Sequence, residues 1–302
     1  MAVLFYYFCI QMPIIQLKTK LKTNEKKMIL VADSGSTKTD WALISDDGDT
    51  VKHIQTQGLN PFHMDGAGIA RVLREELLSA LAGCSVGSVR FYGTGCTADK
   101  IPAMESLLAN VLGCADVFVG SDLLGAAHAL CGDGEGIACI LGTGANSCLY
   151  DGHRITANTP PLGYILGDEG SGAVLGRTFL NGIFKGWISR AVRDLYLSET
   201  NQTYADVINN VYRQPLANRY LARIAKFLGR HKTEYPEISA MVEESFVAFI
   251  HRNIDAYGRK DLPLNFVGSV AWYFRPELKA AAEATGYTLG RVLRSPIDSC
   301  DR

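Results

Sequence analysis

Two polar, glycine-containing segments of this sequence carry the residue types that bind phosphate groups. The first runs from Asp33 to Asp40, reads DSGSTKTD and lies between two predicted strands. Backbone N–H groups of a tight turn, hydroxyl groups and a lysine ammonium together suit a phosphate chain, and Asp33 can hold Mg²⁺ through water. The segment is not a P-loop, because the G-x-x-x-x-G-K-[ST] spacing is missing and it joins strand to strand. Its composition fits an ordinary polar hairpin equally well.

The second segment, LGTGANS at residues 141–147, again joins two predicted strands through glycines with a hydroxyl between them. Glycine lets the backbone approach a ligand closely, as a diphosphate requires. One such turn is weak evidence. Two of them, one in each half of the chain, suggest two related α/β halves.

A strand-end carboxylate, Asp122, lies between these two segments at the start of a predicted helix over residues 122–131. Helix N-terminal amides keep such an acid ionised, which suits a base that accepts a substrate hydroxyl proton. Helix capping by Ser121 and Asp122 without any chemistry explains the same residues.

Two further segments could contact a substrate. A loop rich in Gly and Pro ends in the adjacent acids Asp168 and Glu169, and carboxylates combined with an amide such as Asn60 commonly bind sugar hydroxyls. Acids in the first turn of a helix are also common for dipole reasons alone. The small residues Gly268 and Ser269 follow a strand and leave room for a planar nucleobase. A tight turn between a strand and a helix explains the same residues.

The elements that must position these residues follow an alternating α/β pattern. Buried runs, alternation and turn signals predict strands at 28–33, 40–45, 51–56, 89–92, 117–119, 136–141, 146–150, 154–156 and 264–267. Helical spacing predicts helices at 69–82, 102–112, 122–131 and 275–284, with mostly helical chain between 168 and 257. We expect an N-terminal domain over 28–125 and a C-terminal domain over 126–302 that contains the helical insertion.

Composition excludes several classes of protein. The chain has 302 residues with 30 Lys+Arg against 31 Asp+Glu, so nothing in its charge indicates binding to nucleic acid or to a membrane. Its eight cysteines form no C-x-x-C pair, which predicts a cytoplasmic protein without structural zinc. An apolar stretch at residues 2–17 precedes the cationic run 18–27, the reverse of a secretory signal. We expect residues 1–27 to be a disordered or artefactual leader and Met28 to be the functional start.

The ordered motifs DSGSTKTDW, Asp122, LGTGANS, GDEGS and VGSVA resemble those of the N-acetylglucosamine kinases and of the related ATPases that activate benzoyl-CoA reductase and 2-hydroxyacyl-CoA dehydratases. Both groups belong to the superfamily of acetate and sugar kinases, heat-shock chaperones and actin. The resemblance runs over residues 28–296. It implies two ribonuclease-H-like α/β domains of the actin/sugar-kinase type with an interdomain ATP cleft.

The resemblance also implies ATP and Mg²⁺ as cofactors and a role for each matching residue. Asp33 would be the acid associated with Mg²⁺, and Asp122 would be the base that deprotonates the sugar hydroxyl. The other implied residues form the first phosphate loop (Gly35, Ser36, Thr37, Lys38), the second phosphate loop (Gly142, Thr143, Gly144), the adenosine contact (Gly268, Ser269) and the substrate contacts (Asn60, Asp122, Asn146, Asp168).

The function expected from these residues is transfer of the γ-phosphoryl group of ATP to an amino sugar, N-acetylglucosamine or glucosamine. One alternative is an ATPase activator that shares a [4Fe-4S] cluster across a dimer, for which Cys131 and Cys148 lie in plausible regions. A second is a non-catalytic regulator that binds sugar and ATP, although no basic helix-turn-helix extension is present. The expected partner is a small-molecule sugar. Formation of a homodimer is possible and is left undecided by the sequence.

Overall fold

The computed structural model describes residues 28–35 and 38–299 of the 302-residue chain. The prediction of a leader over residues 1–27 lies outside the described residues. The described chain divides into two compact units. Unit 1 runs to Asp133 and includes the chain again from Ser295, whereas unit 2 runs from Gly134 to Arg294.

Unit 1 contains a mixed five-stranded sheet. Its strands are β1 (Met28–Ser34), β2 (Lys38–Ile44), β3 (Thr50–Gln57), β4 (Val86–Gly93) and β5 (Asp116–Ser121). Their order is β3-β2-β1-β4-β5, in which β1, β4 and β5 are parallel and the hairpin strands β2 and β3 are antiparallel to their neighbours. Because parallel strands end at the same edge of a sheet, the residues that follow β1, β4 and β5 lie together.

Three helical segments pack on the unit 1 sheet. They are α1 (Gly66–Val72), which continues as a π-helix (Leu73–Leu78), α2 (Ile101–Leu112) and α3 (Asp122–Cys131). The Asp65 carboxylate caps α1, and the Ser121 hydroxyl accepts from the Leu124 N–H to cap α3. Trp41 and Phe91, whose rings lie 5.8 Å apart, fill the core between the sheet and the helices.

Unit 2 repeats the strand order of unit 1. Its strands are β6 (Gly136–Leu141), β7 (Ala145–Tyr150), β8 (Ile155–Ala157), β9 (Leu264–Val267) and β10 (Leu289–Leu293). The order β10-β9-β6-β7-β8 again combines an antiparallel meander with two parallel strands. The prediction of two related α/β halves is confirmed by this repeat.

A helical insertion lies between β8 and β9 of unit 2. Its helices are α4 (Gly163–Leu166), α5 (Gly172–Lys185), α6 (Arg190–Thr200), α7 (Tyr204–Tyr212), α8 (Ala217–His231) and α9 (Pro236–Phe249), and the last continues as a π-helix (Ile250–Ile254). Two more helices, α10 (Ser269–Tyr273) and α11 (Arg275–Ala284), connect β9 to β10. Gly176 lets α5 and α8 pack closely, because a Cβ there would lie 2.1 Å from the Leu221 carbonyl oxygen.

Besides the short helices α4 and α10, which were not predicted, the structure differs from the predicted elements at three places. The predicted domain boundary after residue 125 falls inside α3 of unit 1, and residues 295–299 return to unit 1. The helix predicted at 69–82 begins at Gly66, because Asp65 caps it, and turns into a π-helix. Strand β10 was missed because its short sequence has no periodic pattern and depends on pairing with β9.

No helix within the described ranges is both long and apolar enough to span a membrane.

Candidate active site

Asp33 lies in β1, directly opposite Asp40 of β2 and Tyr92 of β4. Its pKa is raised to about 7, mainly by burial and then by the nearby carboxylates Asp122 and Asp40, whereas Lys38 opposes this effect. The side chain of Lys38 forms an ion pair with Asp40 at 2.6 Å. The structure therefore brings Asp33 and Asp122 close enough to repel each other.

The Asp122 carboxylate is held by two donors at the start of α3. The backbone N–H of Leu123 donates to Oδ1 at 2.8 Å, and the Thr94 hydroxyl donates to Oδ2 at 2.6 Å. Thr94 is itself fixed, because its backbone N–H donates to the Ser34 carbonyl oxygen at 2.9 Å. These contacts restrict the rotation of the carboxylate.

Thr94 is a candidate functional residue that the sequence analysis missed. It comes immediately after β4, between β1 and β5, so its side chain reaches the same sheet edge as Asp33 and Asp122. Thr94 could have been found from the parallel arrangement of β1, β4 and β5. This arrangement puts a polar residue after β4 at the same sheet edge as Asp33 and Asp122.

Asn60 lies beside the same turn. Its side chain is buried, with 5% of its surface exposed, and its Oδ1 accepts the Phe62 N–H at 2.9 Å. Gly95, which has φ of +82°, passes so close that a Cβ there would lie 2.5 Å from the Asn60 Oδ1. Asn60 and Asp122 thus flank the turn that contains Thr94.

The first glycine segment is described only in part, because Ser36 and Thr37 lie outside the described residues. The Gly35 N–H donates to the Lys38 carbonyl oxygen at 3.0 Å, which closes the hairpin between β1 and β2. The predicted hairpin is confirmed, and its role in phosphate binding stays a prediction.

Within the second glycine segment, the carbonyl groups of residues 142–144 all accept backbone hydrogen bonds. The Gly144 carbonyl accepts the Gly142 N–H at 3.0 Å, and the carbonyls of Gly142 and Thr143 accept N–H groups from the first turn of α5 at 2.8 and 3.1 Å. In the described part of the chain, the N–H groups of Thr143 and Gly144 donate to no acceptor. Adjacent free amides of this kind form a concave site for an anion.

The adjacent acids Asp168 and Glu169 contact different parts of unit 2. The Oδ2 of Asp168 lies 3.1 Å from the position that a Cβ on Gly144 would take. Burial raises the pKa of Asp168 to about 6, although the nearby backbone of Ala145 opposes this effect. Glu169 forms an ion pair with Arg252 at 3.0 Å. Although burial opposes it, hydrogen bonding to Arg252 and Asn253 lowers the Glu169 pKa. Of this pair, only Asp168 contacts the second glycine loop.

Asn146 is oriented by a residue that the sequence analysis did not identify. Its Oδ1 accepts the Ser147 N–H and the side-chain amide of Asn158, each at 2.9 Å. Asn158 also donates to the Ser147 carbonyl oxygen at 2.7 Å. With its oxygen occupied, Asn146 presents its amide N–H groups as donors.

Gly268 brings the end of β9 against the end of β6. Its φ is +124°, and a Cβ there would lie 2.2 Å from the Leu141 carbonyl oxygen, so no side chain fits. Gly268 therefore lies next to the start of the second glycine loop. Ser269 is exposed at the first turn of α10.

The two cysteines of the activator hypothesis do not share one environment. Cys148 is fully buried in β7, and Cys131 is partly buried at the end of α3. Within residues 28–35 and 38–299, no three His, Cys, Asp or Glu side chains are arranged to hold a metal ion.

The structure is similar to that of a putative N-acetylglucosamine kinase from Porphyromonas gingivalis. The TM-score is 0.87 and the sequence identity 49%, over 90% of this chain and 96% of that chain. A putative N-acetylglucosamine kinase from Chromobacterium violaceum gives a TM-score of 0.69 at 18% identity, over 91% of this chain and 98% of that chain. A ROK family glucokinase from Streptomyces griseus, in complex with glucose and AMPPNP, gives a TM-score of 0.54 at 13% identity, over 90% and 96%.

The last two structures show the fold alone, because their sequence identities are low. No protein-family model and no curated protein sequence matches the chain. The Porphyromonas gingivalis protein, however, is nearly half identical over almost its entire length. The chain belongs to the N-acetylglucosamine kinase family.

Proposed function

We propose that this protein is an ATP-dependent kinase that transfers the γ-phosphoryl group to a hydroxyl of an amino sugar, N-acetylglucosamine or glucosamine. The observation that carries the proposal is the loop at residues 142–144, whose carbonyls accept backbone hydrogen bonds while the N–H groups of Thr143 and Gly144 suit phosphate oxygens. The N-acetylglucosamine kinase relative from Porphyromonas gingivalis supports the choice of sugar.

Asp122 is the proposed general base. Its carboxylate takes the proton of the sugar hydroxyl as the hydroxyl oxygen bonds to the γ-phosphorus, the bond from that phosphorus to the β,γ-bridging oxygen breaks, and ADP leaves. The proton then passes from Asp122 to solvent. The Thr94 hydroxyl and the Leu123 N–H keep the carboxylate in one orientation for this step.

Asp33 is the residue proposed to hold Mg²⁺. Magnesium binds through one or two carboxylates together with substrate phosphates and water, so a single strand-end acid fits this ion. A cation there would also offset the repulsion among Asp33, Asp122 and Asp40 that raises the Asp33 pKa. When bound, Mg²⁺ neutralises charge on the phosphate oxygens.

The remaining roles concern binding. The amides of Thr143 and Gly144, together with the first loop at residues 35–38, are proposed to bind the phosphate chain. Gly268 and Ser269 are proposed to contact adenosine, and Asn60, Asn146 and Asp168 the sugar. The Oδ1 of Asn146 already accepts two hydrogen bonds, so its side-chain N–H groups are the proposed donors for sugar oxygens.

We also propose that the protein acts in the cytoplasm, on the basis of its scattered cysteines. A homodimer stays a prediction, which light scattering tests.

The function is tested by ADP release from Mg-ATP, with and without N-acetylglucosamine, glucosamine, N-acetylmannosamine, N-acetylmuramic acid and glucose. Strong stimulation by N-acetylglucosamine or glucosamine is the expected result, with a stoichiometric sugar phosphate detected by mass spectrometry. ADP release that no sugar stimulates would contradict the proposal and favour the activator class.

The role of Asp122 is tested by Asp122→Asn, which keeps the shape of the side chain and removes the base. We expect sugar phosphorylation to fall by about 10²- to 10⁴-fold with nearly unchanged ATP binding. Full activity of this variant would remove Asp122 from the role of base.

A further inference from the structure

The orientation of the Asn146 side chain depends on a second asparagine, Asn158. The Asn158 Nδ2 donates to the Asn146 Oδ1 at 2.9 Å and to the Ser147 carbonyl oxygen at 2.7 Å. Asn158 is exposed, whereas Ser147 is fully buried in β7. An exposed side chain keeps one orientation only where its backbone is fixed. The direction of the Asn146 amide therefore depends on what holds the chain at residues 158 and 159 against β7.

A tyrosine hydroxyl joins these two parts of unit 2. The Thr159 N–H donates to the Tyr257 hydroxyl at 3.1 Å, and the same hydroxyl lies 2.7 Å from the Ser147 Oγ. The Ser147 hydroxyl has one proton and donates it to the Asn253 carbonyl oxygen at 3.3 Å, so Tyr257 is the donor to Ser147. One hydroxyl group thus binds a backbone amide after β8 and a buried side chain in β7.

The Asn253 carbonyl makes a second connection between the same residues. It accepts the Ser147 hydroxyl and also the Thr159 hydroxyl, the latter at 2.8 Å. Asn253 is buried, and its side-chain amide donates to the Phe249 carbonyl oxygen at 3.1 Å. Ser147 and Thr159 are therefore each bonded to both Asn253 and Tyr257. Of these two partners, only the Tyr257 hydroxyl can be removed without changing the backbone.

These contacts connect Tyr257 to Asn146. Tyr257 fixes the Thr159 backbone, and this restricts the neighbouring Asn158, whose amide occupies the Asn146 Oδ1. With its oxygen occupied, Asn146 has only N–H donors to offer. Donors that are already oriented bind a ligand oxygen more tightly than mobile ones, because less conformational entropy is lost on binding.

We propose that Tyr257 is a positioning residue for the sugar: through Thr159 and Asn158, its hydroxyl keeps the Asn146 amide in the orientation that donates to a sugar oxygen. This inference rests on the proposed function, because it takes Asn146 as a sugar contact. It predicts that loss of the Tyr257 hydroxyl weakens binding of the sugar rather than of the nucleotide.

The experiment compares the KM for the stimulating sugar, N-acetylglucosamine or glucosamine, with the KM for ATP. Tyr257→Phe removes only the hydroxyl, and we expect the sugar KM to rise about fivefold, as for loss of one hydrogen bond, with the ATP KM within about twofold. Tyr287→Phe is the matched control. The Tyr287 hydroxyl donates to Asp255 at 2.9 Å, close to Tyr257 in sequence but away from Ser147 and Thr159. Both KM values should stay within about twofold in this control.

A second background separates positioning from general damage to unit 2. Asn146→Ala removes the amide that Tyr257 is proposed to orient, and it should raise the sugar KM by itself. Adding Tyr257→Phe to Asn146→Ala should then raise the sugar KM by less than about twofold, because residues that act through one contact are not additive.

Each outcome decides the inference. An unchanged sugar KM in Tyr257→Phe overturns it, as does an equal rise in Tyr287→Phe, an equal rise in the ATP KM, or an undiminished effect in the Asn146→Ala background. If Asn146→Ala leaves the sugar KM unchanged, Asn146 is not a sugar contact, and the inference fails while the kinase function stands. If no sugar stimulates the wild type, the proposed function itself fails and the inference with it.

Discussion

At the scale of single residues, the Thr94 hydroxyl is the group that most directly restricts Asp122. Thr94→Val has nearly the same shape but donates no hydrogen bond, so the carboxylate gains rotational freedom and loses a charge-assisted contact. We expect kcat to fall about tenfold with little change in the KM for ATP. Steady-state kinetics check this, and Thr94→Ser, which restores the hydroxyl, should recover most of the rate. A Thr94→Val enzyme with wild-type kcat would show that Thr94 does not position the base.

The raised pKa of Asp33 predicts a conflict between stability and function. Its pKa rises from 3.8 to about 7 on folding, so the folded state binds more protons than the unfolded state between these values. The contribution of Asp33 to the free energy of unfolding is therefore present at low pH and is lost as pH rises through this window.

Asp33→Asn removes this unfavourable ionisation. We expect the melting temperature at about pH 8, without ligands, to rise by roughly 2–4 °C, and this gain to shrink as the pH approaches about 4. Sugar phosphorylation should be lost in the same variant. Asp46→Asn, in an exposed turn, is the control and should leave both quantities unchanged. A lower melting temperature for Asp33→Asn at pH 8 would contradict this account of the Asp33 environment.

At the scale of elements, two glycines near the second loop should respond very differently to alanine. Gly268→Ala would place a Cβ 2.2 Å from the Leu141 carbonyl oxygen at a φ of +124°, which forces β9 and β6 apart. We expect a loss of about 3 kcal/mol or more in urea unfolding. Gly142→Ala has no atom within 4 Å of the added Cβ and should change stability by no more than about 0.5 kcal/mol. Equal stability of the two variants would show that the β6–β9 contact is not rigid.

At the scale of the whole molecule, the sequence predicted the repeated architecture well because each half carries its own local signals. Buried apolar runs and glycine turns located the strands around Asp33 and Gly142, and the helix at 122–131 was predicted with its observed bounds. The related α/β halves follow from these signals.

What the sequence could not predict depends on contacts between distant segments. Thr94 reaches Asp122 only because β4 lies between β1 and β5, and Asn158 orients Asn146 through the β7–β8 turn. Similarly, Asp168 and Glu169 look equivalent in sequence, but burial against the loop and pairing with Arg252 give them opposite pKa shifts. Sequence spacing identified the candidate acids, but tertiary packing determines what each one contacts.

The chain connects the two units twice, and the second connection predicts a measurable dependence of unit 1 on the far end of the sequence. Ile297, in the 3₁₀ helix Pro296–Ser299, is 4% exposed and packs against Val31, Ala42 and Ile44 on the unit 1 sheet. Ile297→Ala leaves a cavity there and should cost unit 1 about 2–4 kcal/mol. Hydrogen exchange should show faster exchange in β1 and β2 with unchanged protection in β6 and β9, whereas Ile297→Val should have a smaller effect. If protection fell equally in both units, the last segment would not be a stabilising part of unit 1 alone.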